Sequence, residues 1–99
     1  MTADERIEGI QRATTYAELR AAMEGYTTEA VEQYPHLAGC APLRKCLNGG
    51  VFVHAIVDLD EWEANTGETY PDARRVLTAA ATKHMQFGGG VPLDLPQRN

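Results

Sequence analysis

The sequence predicts an all-α fold, a compact bundle of five to six short helices. Hydroxyl-to-carboxylate spacings that mark helix starts recur along the chain, and apolar residues follow them at three- and four-residue intervals. Glycine or proline punctuates most gaps between these segments. The 99 residues read as a single helical domain over 1–90 with an extended C-terminal tail over 91–99.

Thr2 with Glu5, Thr15 with Glu18 and Thr69 with Asp72 have the capping-box spacing, in which a hydroxyl and a carboxylate satisfy unpaired N–H groups of the first turn. The first predicted helix covers about 3–12 and offers Ile7 and Ile10 to a core. The second, about 15–24, offers Tyr16, Leu19 and Met23 before Gly25. A third, about 28–34, carries Ala30, Val31 and Tyr34 and stops at Pro35. Pro42 opens a short turn of helix ending near Leu47, where Asn48-Gly49-Gly50 interrupts the chain.

"VFVHAIVDLDEW" is ambiguous. Its β-branched residues suit a strand at 51–57, but Phe52, Ala55, Ile56, Leu59 and Trp62 also form one helical stripe. No second strand is available inside the chain to complete a ladder, so helix is preferred. The alternative is α+β, with two copies pairing this strand in a homodimer. The last helix, about 70–87, places Ala73, Val76, Leu77, Ala80, His84 and Phe87 on one side. The predicted core comprises Leu19, Met23, Val31, Phe52, Ile56, Leu59, Trp62, Val76, Leu77 and Ala80.

Composition narrows the function. The net charge is −5, with seven acids and three bases in 1–35 and five acids and no base in 49–70. Because nonspecific nucleic-acid binding rests on neutralising phosphates, the charge disfavours DNA as a partner and favours a protein surface. The chain has no serine, which removes serine-nucleophile catalysis. No apolar run reaches the ~20 residues of a membrane helix, and the charged N-terminus lacks the apolar stretch of a signal peptide. A cytoplasmic protein with free thiols is expected.

His36, Cys40, Cys46 and His54 form an H-x3-C-x5-C-x7-H pattern whose donor chemistry suits zinc. The spacing is looser than that of dedicated zinc sites. The preferred reading has the cysteines as small buried hydrophobes, no cofactor, and zinc as the alternative. Arg44 and Lys45 beside Cys46 raise a further alternative, a thiol of lowered pKa with His54 as its base.

"TYAELRAAMEGYTTEAVEQY" resembles a helix-turn-helix through Ala21, Gly25 and Val31. That resemblance implies a recognition helix at "TTEAVEQY", which carries Glu29 and Glu32 and no base. A DNA-binding regulator would need Arg44, Lys45, Arg74, Arg75 and Lys83 to assemble into one basic patch. In the tail, Leu93, Asp94 and Leu95 of "PLDLP" resemble docking peptides of the kind that bind bacterial sliding clamps, with Pro92 and Pro96 in place of the leading Gln and terminal aromatic.

Asp58, Asp60, Glu61 and Glu63 around Trp62 form the densest acidic patch. Carboxylates that steer encounter, with an aromatic anchor among them, would suit docking of a basic protein. The sequence therefore points to a small acidic protein-binding module (a regulator, adaptor or inhibitor) without catalytic residues.

Overall fold

In the computed structural model, which describes residues 1–88, six α-helices and one 3-10 turn follow one another without a strand among the described residues. They are α1 (Ala3–Arg12), α2 (Tyr16–Ala22), α3 (Tyr26–Gln33), the 3-10 turn Pro35–Gly39, α4 (Ala41–Gly49), α5 (Phe52–Thr66) and α6 (Pro71–Gln86). The bundle has a radius of gyration of 12.6 Å, near the ~13 Å typical of a hundred-residue domain. The predicted tail, 91–99, lies outside the described residues.

The first capping box forms in both directions: Glu5 N–H donates to Thr2 Oγ1 at 3.1 Å, and Thr2 N–H to Glu5 Oε1 at 2.9 Å. The second forms by half. Glu18 N–H donates to Thr15 Oγ1 at 3.1 Å, but the Glu18 carboxylate takes the N–H of Thr14 at 2.7 Å instead of that of Thr15. Those Thr14 hydrogen bonds hold the Glu18 carboxyl below its ordinary pKa.

The third box does not form. Tyr70 caps α6, its N–H donating to Glu63 Oε2 at 3.0 Å, while Asp72 N–H donates to Tyr34 Oη at 3.0 Å. Side chains from α5 and from the end of α3 thus replace the local carboxylate, and Pro71 at the first helical position removes one unsatisfied N–H.

The ambiguous segment is helix. Phe52, Ala55 and Leu59 of α5 are buried, and α5 packs against both α4 and α6. A helix satisfies its backbone internally, which a lone strand between two helices could not. Before it, Gly50 adopts φ +77°; Gly50 N–H bonds Leu47 O and Val51 N–H bonds Cys46 O. This Schellman closure ends α4 and turns the chain sharply into α5.

Of the predicted core, Leu19, Met23, Phe52, Leu59, Val76, Leu77 and Ala80 are buried, together with Ile10. Val31, Ile56 and Trp62 are only half-buried and pack at its margin. Leu37, Leu43, Tyr26 and Tyr70 complete the interior. Tyr70 meets the ring of Tyr34 edge-on at 5.3 Å, which ties the end of α3 to the start of α6.

Candidate functional site

The four residues of the Cys/His pattern sit in different surroundings. Cys40 is buried at the start of α4, and burial pushes its thiol pKa up. Cys46, half-buried on α4, donates its thiol hydrogen to Asp58 Oδ2 on α5 at 3.1 Å. Exposed His36 lies 4.0 Å from the Glu68 carboxylate, and His54 is half-buried on α5. Among the described residues, no group of three or more His, Cys, Asp or Glu side chains is placed to hold a metal ion.

The surroundings of Cys46 run against its activation by Arg44 and Lys45. Burial and the Asp58 carboxylate push the Cys46 thiol up to about 12, against a weaker downward pull from Lys45. A thiolate facing a carboxylate in a partly dry site is electrostatically disfavoured, so the proton stays on sulfur.

The acidic run divides by helical position. Asp60 and Glu63 face α6, where both carboxylates bind Arg74, Glu63 Oε1 at 2.7 Å. These contacts, Asp60 first, raise the Arg74 pKa. Asp58 faces α4 and accepts from Cys46. Glu61 is exposed and forms no ion pair among the described residues. Trp62 does not stand out as an aromatic anchor, since its indole lies against Gly39, where a methyl group would come within 3.3 Å of the ring. Its Nε1 is buried without a hydrogen-bond partner. The outward face of α5 instead presents Val57, 48% exposed, one turn before Glu61.

The packing implied by the helix-turn-helix resemblance is absent. Gly25 does make the turn, with φ +79°, but Ala21 is exposed and Val31 half-buried. The physical reason is that α2 packs on α1 and α6, while α3 packs on α4 and the 3-10 turn. The basic residues are likewise divided. Arg44 and Lys45 are exposed on α4, whereas Arg74, Arg75 and Lys83 lie along α6. Leu93, Asp94 and Leu95 lie outside the described residues.

Two features escaped the sequence reading. Arg6, at 6% exposure, donates through Nη1 to Ala22 O at 3.0 Å and Glu24 O at 2.9 Å, and through Nη2 to Glu29. Its guanidinium also lies over the Tyr26 ring, 5.2 Å from the centroid. One buried cation thus caps the carboxyl end of α2 and anchors the start of α3. The sequence signal available was Arg6 lying one position from Ile7 and four from Ile10, at the edge of the apolar stripe.

For His84 the sequence spacing gives the core-facing side of α6, and the tertiary structure supplies its aromatic surroundings. Its ring stacks on Tyr16 at 4.9 Å and meets Phe52 edge-on at 5.9 Å, and Nδ1 is buried without a partner. Burial lowers its pKa. Tyr16 Oη donates to Gly50 O at 2.7 Å, which closes this cage onto the α4–α5 corner.

No helix among the described residues is long and apolar enough to cross a membrane. Open cavities among the described residues include one of about 410 Å³ at the α2–α3 turn and one of about 610 Å³ between α1 and α6. No protein-family model matches the chain, and neither a curated protein nor a solved structure shows significant similarity to it.

Proposed function

We propose that this chain is a protein-binding module, acting as a small regulator, adaptor or inhibitor through the outward face of α5. The observation that carries this reading is the pairing of exposed Val57 with the unneutralised carboxylate of Glu61 one turn later. Burying the exposed part of a valine contributes roughly 1 kcal/mol, and a neighbouring carboxylate selects a cationic partner and speeds its encounter. The other acids of the run support this face from behind: Asp60 and Glu63 fix α5 to α6 through Arg74, and Asp58 fixes it to α4 through Cys46. The net charge of −5 favours the same class of partner.

The test is affinity capture from extracts of the native host with the wild-type chain and with Val57→Asp and Glu61→Arg variants. Both substitutions lie on solvent-facing positions, and circular dichroism checks that helicity is kept. A basic protein retained by the wild type, lost by both variants and released by salt supports the reading. Equal capture by wild type and variants overturns it.

A further inference from the structure

We propose that the cavity at the α2–α3 turn binds a free α-amino acid with an apolar side chain. The cavity measures about 410 Å³, within the ~300–1,000 Å³ range of small-molecule sites. Met23, Leu47 and Phe52 line it with side chains that otherwise belong to the core. Arg20 and Glu24 line it as well and supply one charge of each sign.

Both charges are uncommitted. Opposite charges four residues apart pair along a helix, but α2 ends at Ala22 and Glu24 lies beyond it. Neither residue forms an ion pair with the other or with any described residue. Arg6, Arg12, Arg74 and Arg75, by contrast, each bind at least one carboxylate.

The Arg20 guanidinium is held over the end of α4, with Nη2 3.4 Å from Asn48 O and Nη1 3.5 Å from Gly49 O. These contacts are long beside an ordinary bond of about 2.9 Å, and a guanidinium has five donors. The group is thus positioned while keeping donors for a ligand carboxylate. The carbonyl oxygen of Glu24 accepts from Arg6, whose charge is answered by Glu29, and the Glu24 carboxylate accepts from no described residue. Thr27 Oγ1 donates to Asn48 Oδ1 at 2.8 Å, which ties α3 to α4 and fixes one wall.

The two charges decide the chemistry of the occupant. A simple anion would satisfy Arg20 but face Glu24, on a chain of net charge −5. A simple cation would satisfy Glu24 but face Arg20. An α-amino acid carries a carboxylate and an ammonium on one carbon, so each end meets its opposite at no net charge. Its apolar side chain then covers Met23 and Leu47.

An amide chemical-shift titration by NMR tests the site with L-leucine. Three controls each lack one feature: 4-methylpentanoate the ammonium, leucine methyl ester the carboxylate, and glycine the side chain. Leucine is expected to shift the amides of Thr27, Thr28 and Asn48, and each control to bind about tenfold more weakly or worse. Arg20→Gln and Glu24→Gln are each expected to weaken leucine binding about tenfold or more. Glu24 is exposed, so its substitution leaves the core intact, and it should not weaken 4-methylpentanoate. No leucine binding at about 10 mM, equal binding of leucine and any control, or undiminished binding by Glu24→Gln overturns the proposal. Val57 and Glu61 do not line this cavity, so the site and the α5 face stand or fall separately.

Discussion

The thiol of Cys46 and the carboxylate of Asp58 share one hydrogen bond, 3.1 Å long, that joins α4 to α5. Sulfur donates and oxygen accepts, so the bond exists only while the thiol keeps its proton. With the thiol pushed up to about 12, Cys46 is predicted to alkylate slowly near neutral pH. Iodoacetamide labelling followed by mass spectrometry should show its rate still rising well above pH 9. Asp58→Asn removes the opposing charge and should move that rise to lower pH. A wild-type midpoint near the ordinary thiol value of about 8.5 would contradict this account. The linked stability effect has a definite sign. A folded-state pKa above the unfolded one keeps the contribution whole below the unfolded value, and it is lost as pH climbs toward about 12.

Arg6 provides the second prediction. Arg6→Ala would strip two carbonyl oxygens of a donor and leave Glu29, which is only 24% exposed, without its cation. Breaking a largely buried pair costs about 3–5 kcal/mol, a large share of the stability of a small domain. Urea unfolding should register a loss at the lower end of that range. Arg6→Lys should restore little, because one ammonium cannot reproduce a fork that reaches Ala22, Glu24 and Glu29 together.

A comparison of two glycines separates backbone strain from steric conflict. Gly50 and Gly67 both have positive φ, +77° and +74°. A methyl at Gly67 would meet nothing within 4 Å, so Gly67→Ala should cost about 1–2 kcal/mol from conformation alone. At Gly50 a methyl would collide with Tyr16 Oη and Arg20 Cδ, the groups that seal the α4–α5 corner. Gly50→Ala should therefore be the more damaging by a further ~1–3 kcal/mol in thermal or urea unfolding. Equal losses would mean that the corner yields freely.

His84 sets the behaviour in mild acid. Burial lowers its folded-state pKa, so the unfolded chain binds a proton that the native aromatic cage resists. Its contribution is complete above the unfolded value of about 6.5 and is lost as pH falls below it. Urea midpoints measured between pH 7.5 and 5 should decline, and His84→Phe should flatten that decline. A wild-type stability that rises on acidification over this interval would refute the assignment.

Much of the fold was legible because helix signals are local. Thr2 with Glu5 lie three residues apart, and the stripe Val76, Leu77, Ala80, His84 repeats at helical spacing. Signals of this kind located α1 and α6 almost to the residue and favoured helix over strand for α5. The misplaced third capping box had the right spacing as well. It lost to Glu63 and Tyr34, which reach the start of α6 from positions 7 and 38 residues away from the groups they cap.

The candidate site was less legible, for a related reason. The run Asp58 to Glu63 is one acidic patch on paper, yet 100° of rotation per residue sends Asp58 toward α4, Asp60 and Glu63 toward α6, and Glu61 outward. By itself the sequence determined helix placement, the sign of the net charge and the absence of a serine nucleophile. Only the tertiary structure decided which charges are spent inside the fold, because partners such as Arg6 with Glu29 and Arg75 with Asp4 lie 23 and 71 residues apart. Their meeting depends on which helices pack side by side, and no spacing along the chain encodes that.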